Sequence, residues 1–310
     1  MVQTTTMPPN RGLHGWLVID KPRGVTSNRV VEQVRRATGA KAGHAGTLDP
    51  LATGVLPIAL GEATKTVSYA MCGRKSYHFR VRWGIARTTD DCEGEIAGES
   101  DSRPSKARIE AALPRFTGTI AQAPPVYSAI KIGGRRAYAL ARAAKPPSLP
   151  ARPVEIAKLR LISQPDGDHA EFEAVVGKGT YIRALARDLA IELGTVGHIT
   201  ALRRLSVGPF TEAQAISLET SADLAHIPHA NEGLLPIEAA LDGMPALALT
   251  AAEANRLRCG QRIMPSEFHG RSQVGEFKAG TVVSAWHNDA LIALATIEDG
   301  GLRPLRVINS

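Results

Sequence analysis

Asp49 is the acid in this chain whose surroundings best suit chemistry. It lies within GHAGTLDPLATGVLPIALGEATK, Gly43 to Lys65, among backbone-bending residues and beside an apolar run. A residue that precedes proline is kept out of the helical region, so Asp49, ahead of Pro50, is expected to be extended on a loop. Gly43, Gly46 and Gly54 permit sharp bends around it. A carboxylate on a stiff loop over an apolar floor is placed to act as a nucleophile or a general base. The plainer alternative is an Asx-turn, in which Asp49 only caps its own loop.

Three further side chains stand where they could serve such a site. Arg183 opens an expected helix after Gly177-Lys178-Gly179-Thr180, where the helix dipole disfavours a cation, so an anionic partner is expected for it. Tyr77 begins the apolar side of a strand; it can bury its ring in the core and keep its hydroxyl in a cleft. His44, on the Gly-flanked approach to Asp49, is either an exposed loop histidine or a flat face on which a base could stack.

The elements that must hold these groups follow from periodicity. Trp16–Asp20 is a short apolar strand stopped by the turn Lys21-Pro22-Arg23-Gly24. A helix capped by Thr26 or Ser27 follows, with Val30, Val31, Val34 and Ala37 on one face and Gly39 ending it in the left-handed conformation. Val55–Leu60, with Pro57 inside it, reads as a buried, edge-like strand that anchors the Asp49 loop. Tyr77, Phe79, Val81 and Trp83 alternate with His78, Arg80 and Arg82, a half-buried strand with a basic outer face. Asp90, Asp91, Glu93 and Glu95 fall in a Gly-containing turn and are expected to be solvated rather than to bind metal.

Ser105–Phe116 is an amphipathic helix, and Pro153–Leu161 and Ala170–Val176 are strands joined by a turn. The next helix buries Ile182, Leu185, Ala186, Leu189 and Leu193 and is closed by Gly194. Arg183 lies off that stripe. Leu202 reads as a core leucine, and Arg203 and Arg204 beside it are expected to meet a nucleic-acid backbone. The region 245–310 suggests a helix over Leu247–Gly260 and strands over Gly280–Trp286, Leu291–Ile297 and Leu302–Ile308.

With 310 residues, 44% of them hydrophobic, the chain can form one large core and a smaller one. Lys and Arg number 37 against 30 Asp and Glu, a net charge of +7 that favours a polyanionic partner. The charge is concentrated. From Thr117 to Val154 there are six basic residues, Lys131, Arg135, Arg136, Arg142, Lys145 and Arg152, and no acidic one, with Tyr127 and Tyr138 interleaved. Such an arm suits phosphates, each cation displacing counterions. The three cysteines, Cys72, Cys92 and Cys259, fit neither a disulfide framework nor a zinc site and point to a reducing cytoplasm. MVQTTTMPPN reads as a loose tail without a signal-peptide core, and no apolar run has membrane-spanning length. Strand, Gly-x-Gly, helix around Gly177–Thr180 invites a phosphate-loop reading, which the missing GxxxxGK[ST] spacing argues against.

The string Gly43–Lys65 resembles the central motif of the TruB family of bacterial tRNA pseudouridine-55 synthases. GWLVIDKPRGVTS (Gly15–Ser27) resembles the family's first motif, KSYHF (Lys75–Phe79) its tyrosine strand and GKGTYIRALARDL (Gly177–Leu189) its arginine motif, four motifs in order. Val176-Gly177 stands where the family usually has Cys-Ser. The resemblance implies an α+β pseudouridine synthase fold: a mixed, largely antiparallel sheet with flanking helices and a central cleft, plus a small C-terminal PUA-like β-barrel. It places the catalytic domain at 11–240, with an RNA-clasping insertion at about 120–152, and the second domain at 245–310.

By the same resemblance, Asp49, Tyr77 and Arg183 are catalytic, with Asp49 and Arg183 in a bidentate pair. His44, Leu202, Lys21, Lys131, Arg135, Arg136 and Tyr181 contact substrate or RNA, with Lys21 and Pro22 bracing the loop and Leu202 a shelf under the base. The implied reaction converts a uridine of the tRNA T-loop, at position 55, to pseudouridine. The carboxylate could act at C6, at C1′ or toward C2′. No cofactor, metal, membrane or guide RNA is implied, and a monomer is expected. A non-catalytic RNA-binding module and a guide-dependent relative are the competing expectations.

Overall fold

The computed structural model describes residues 12–143, 147–217, 233–265 and 277–309; the N-terminal tail and Lys145 lie outside them. The chain begins with β1 (Gly15–Lys21), α1 (Ser27–Thr38), β2 (Ala42–His44), β3 (Thr53–Leu60), α2 (Val67–Cys72) and β4 (Lys75–Trp83). A ribbon of β5 (Ile85–Arg87) and β6 (Ile96–Glu99) leads to α3 (Lys106–Ala112) and β7 (Gly118–Gln122). The insertion holds a second ribbon, β8 (Lys131–Ile132) and β9 (Arg135–Arg136), and α4 (Ala137–Arg142). Then come β10 (Arg152–Ser163), β11 (His169–Val176), α5 (Ile182–Glu192), β12 (Gly197–Val207), β13 (Phe210–Thr211) and β14 (Ile216–Ser217). A C-terminal unit contains β15 (Ala246–Ala248), α6 (Ala251–Arg258), β16 (Val282–His287), β17 (Ala290–Glu298) and β18 (Gly301–Val307).

Ten strands form one mixed sheet in the order β14-β1-β3-β12-β4-β11-β10-β7, with β13 beside β12 and β2 beside β3. Within this sheet, among the described residues, only β1–β14 and β3–β12 are parallel pairs. The period-two pattern of β4 is reproduced, and Tyr77, Phe79, Val81 and Trp83 enter the main core with α1, α3 and α5. Phe79 stacks on Phe172 of β11 at 5.3 Å, and Trp83 meets the same ring edge-on at 6.2 Å. The opposite face of β1 and β3 is covered by Ala70 of α2, by Ile237 and Leu241, and by Leu291 and Leu294 of the C-terminal unit. Lys65 Nζ donates to the Val307 carbonyl at 2.7 Å, tying that unit down further.

Three expectations are corrected. β3 is an interior strand, not an edge. Its proline is tolerated because β12 pairs only with Thr53 and Gly54 while β2 pairs with Ile58 to Leu60. Pro57 falls in the gap between them, where its missing N–H removes no ladder bond and its carbonyl accepts from Ala45 N at 2.8 Å. On α1 the buried stripe continues through Thr38, and Ala37 is exposed. In the C-terminal unit the expected long helix is the short α6 preceded by β15, and the four strands lie in the open order β15-β16-β17-β18. A barrel-closing pair is not among the described pairings.

Candidate active site

The loop from β2 to β3 carries Asp49 and is fixed from beneath at several points. Ser27, at the start of α1, accepts from Leu48 N at 2.8 Å and donates to Leu48 O at 3.0 Å, clamping the residue before the acid. Lys21 is fully buried, and its ammonium donates to the carbonyls of Pro22, Val25 and Pro50 at 2.9, 2.7 and 3.3 Å. Burial lowers its pKa to about 8, partly offset by Asp49. Gly46 and Gly54 bend the loop with φ of +98° and +99°, a region costly for side-chain-bearing residues. Asp49 O accepts from Ala52 N at 3.0 Å, closing a tight turn around Pro50.

Arg183 reaches this loop from the first turn of α5. Its Nε donates to Asp49 Oδ2 at 2.9 Å, while its two terminal nitrogens donate to the Thr89 and Tyr127 carbonyls at 2.7 and 2.8 Å. The expected pair therefore forms, although through one nitrogen rather than bidentately, because the rest of the fork is engaged elsewhere. Arg183 is 3% exposed, contrary to its expected place off the buried stripe. Asp49 keeps 35% of its side-chain surface open to the cleft. Burial works against the Arg183 charge, but Asp49, Asp91 and Asp90 outweigh it and hold the group above its ordinary value.

The acidic turn is not solvated as a whole. Asp91 is buried 3.6 Å from Arg183 Nε and accepts from Thr89 Oγ1 and Glu93 N. Asp90, at φ +60°, pairs with Arg187 at 3.0 Å, and burial raises its pKa against the pull of Arg187 and Arg183. Glu93 is largely exposed; the partial burial of its carboxyl, then Asp91 and Asp49, push it above the usual range. Arg187, one turn beyond Arg183, also donates to Ala123 O at 2.8 Å. The sequence missed this network because its arginine–carboxylate pairs, Arg183 with Asp91 and Arg187 with Asp90, join residues far apart in the chain. Among the described residues no His, Cys, Asp or Glu cluster could hold a metal.

A cleft of ≈ 350 Å³ opens above Asp49 and Arg183, walled by the first turn of α1 and by Tyr127, Tyr138 and Arg142 of the insertion. Tyr77 is 9% exposed and joins Leu202 in the core cluster next to the loop. His44 ends β2; burial, then Arg204, lowers its pKa, which keeps its ring neutral. Tyr181 caps α5 with Gln122 Oε1 on its N–H at 2.8 Å and the Arg152 guanidinium 5.8 Å over its ring.

Lys131, Arg135 and Arg136 are exposed on the β8–β9 ribbon and do not themselves line the cleft, although Arg136 donates to the carbonyl of the lining residue Ala129 at 2.6 Å. Lys21 presents no surface to RNA in this structure; its ammonium lies beneath the loop. The expectation for the pair after Leu202 also changes. Arg203 is held bidentately by Asp20 at 3.0 and 2.8 Å and by Glu212, and Arg204 is an interior side chain.

A family model described as TruB family pseudouridylate synthase (N-terminal domain) matches residues 34–182, and one described as tRNA pseudouridylate synthase B C-terminal domain matches 183–242. The tRNA pseudouridine synthase B of Rhodospirillum rubrum is 53% identical over 300 residues, covering 96% of this chain and 97% of its own. That of Caulobacter vibrioides is 51% identical over 295 residues, covering 94% and 95%. Among solved structures, a chain of a Cbf5-Nop10-Gar1 complex superposes with a TM-score of 0.72 at 23% identity, covering 100% of this chain and 91% of that one. A chain of an H/ACA RNP bound to a substrate RNA containing 2′-deoxyuridine gives 0.70 at 22%, covering 96% and 86%. At such identity these two speak for the fold alone, whereas the full-length relatives at about half identity carry the assignment. With its acid, its arginine and its sheet in these positions, the chain belongs to the TruB family of pseudouridylate synthases.

Proposed function

We propose that this enzyme converts the uridine at position 55 of the tRNA T-loop to pseudouridine, with Asp49 as the reacting carboxylate. The observation that carries the reading is the Asp49–Arg183 pair at the floor of an open cleft, one oxygen tethered at 2.9 Å and the side chain still one-third exposed. The curated relatives, all named tRNA pseudouridine synthase B, support tRNA as the substrate. The reaction breaks the N1–C1′ bond, turns the uracil and forms C5–C1′, with loss of the C5 proton and gain of one at N1. Atoms and electrons balance without a cofactor.

A uridine inside a folded loop is out of reach, so the base must leave its stack before reaction. In this reading Tyr77 and Leu202 form the apolar surface under the base, and His44 and Tyr181 hold the RNA around the extruded nucleotide. The uncharged imidazole of His44 suits stacking. Arg183 keeps Asp49 ionised and aimed. Lys131, Arg135 and Arg136 neutralise phosphates along the insertion. Residues 11–240 make up the catalytic unit and 245–310 the auxiliary RNA-binding unit; β12, at the centre of the large sheet, supports counting 183–242 with the former. The protein works in the cytoplasm as a monomer without guide RNA.

The test is tritium release from 5-tritiated uridine in an unmodified tRNA transcript, given the isolated protein alone, with the product mapped by position. Release confined to position 55 is expected. Asp49→Asn should bind the transcript within about twofold of wild type and release nothing; full activity of that variant would remove Asp49 from the chemistry.

A further inference from the structure

Arg204 is 1% exposed, yet among the described residues no carboxylate pairs with it. An arginine cannot shed its proton, so a buried guanidinium without a counter-ion must be satisfied by oriented dipoles. The dipoles it meets belong to one place. Its Nε donates to Val55 O at 2.8 Å, and its terminal nitrogens donate to Gly46 O at 3.0 Å and Thr47 O at 3.4 Å. These carbonyls lie on either side of Asp49, two before it in the loop and one in the strand after it. The Tyr77 side chain lies close enough to the same guanidinium to favour its charge.

The sheet explains how one side chain reaches both. β12 runs between β3 and β4, and Arg204 is the residue registered with Gly54 on one side and with Tyr77 on the other. Ser27 and Lys21 hold the loop from α1 and β1, whereas Arg204 ties its two ends to β12, the strand paired with the one bearing Tyr77. A guanidinium only donates hydrogen bonds. Beside such a group the Tyr77 oxygen can serve only as an acceptor, which leaves its O–H proton for another partner.

We propose that Arg204 is a positioning residue for the uridine isomerisation, setting the distance between the Asp49 loop and Tyr77. It touches no substrate. It acts by holding two groups, brought together from separate strands, in one geometry. The inference rests on the function proposed above.

The test uses the full chain with Arg204→Lys and Arg204→Gln, each alone and combined with Tyr77→Phe, measured by single-turnover pseudouridine formation, tRNA binding and thermal melting. Lys retains a buried donor for part of the fan and keeps the test available if the Gln variant does not fold. The expected result is a rate at least tenfold lower with tRNA affinity within threefold of wild type, and a smaller Arg204 effect in the Tyr77→Phe background. A folded Arg204→Lys with wild-type rate overturns the proposal. So does a loss confined to tRNA affinity, or one of equal size with and without the Tyr77 hydroxyl. Wild-type protein that makes no pseudouridine in tRNA would instead overturn the function on which the inference rests, so the two failures are distinct.

Discussion

A methyl group added at Gly54 tests whether the Asp49 loop is held as tightly as its contacts indicate. Gly54 has φ +99°, and a Cβ there would lie 2.2 Å from Arg204 O and 2.9 Å from Arg204 N. Forcing an L-residue into the left-handed half of the map costs about 1–2 kcal/mol. Relieving overlap with a neighbouring strand's backbone, which has no rotamer to give, adds roughly 1–3 kcal/mol. A loss of about 2–5 kcal/mol is a large share of the about 5–15 kcal/mol that holds a folded protein together. At about 2–4 °C per kcal/mol for a unit of this size, Gly54→Ala should melt about 4–20 °C below wild type. The control is Gly43→Ala in the same segment, where φ is ordinary and nothing lies within 4 Å of the added carbon; its melting point should move by less than about 2 °C. Calorimetry gives both numbers, and tritium release at a temperature where both variants are folded gives activity. A Gly54→Ala protein that melts and turns over like wild type would refute the close β3–β12 approach.

Reversing two exposed charges with Lys131→Glu and Arg135→Glu should weaken tRNA binding most at low salt and flatten the slope of log affinity against log salt by about 1–2; an unchanged slope would place the phosphates elsewhere. His44 supplies a pH prediction. Its proton is disfavoured in the folded state by burial and by Arg204, so the unfolded chain binds more protons and stability falls as pH drops below about 6.5. The stability difference between wild type and His44→Phe should therefore become less favourable to wild type between pH 7 and 5, measured by denaturant midpoints, and a difference that does not vary with pH would show a histidine free to protonate.

The parts of the fold legible in sequence are those set by local pattern. The alternation of Tyr77 to Trp83 gave a strand with the correct face buried, and Gly39 and Gly194 ended their helices with φ of 66° and 72°. The anionic partner expected for Arg183 was also legible, because a cation in a helix's first turn is a local oddity. What stayed hidden depends on neighbours supplied by distant chain. Pro57 suggested an edge, but its fit inside the sheet requires two neighbouring strands that stop on either side of it. Lys21 read as a turn lysine that braces the loop or meets RNA, and Arg204 as a cation facing a nucleic-acid backbone, since composition does not reveal which carbonyls the fold brings to them. Asp90 and Asp91 looked like a wet turn for the same reason.

Helix α5 has a practical bearing on protein engineering. Arg183 and Arg187 grip Tyr127 and Ala123, at the root of the segment proposed to clasp RNA, and Arg183 also grips Asp49. Excising the whole segment would strip hydrogen-bond acceptors from two guanidinium groups and loosen the carboxylate, so the resulting inactivity would say nothing about RNA capture. Trimming only the ribbon tip, residues 131–136, spares those anchors. That shorter deletion is the one that can separate grip on the transcript from turnover of the nucleotide.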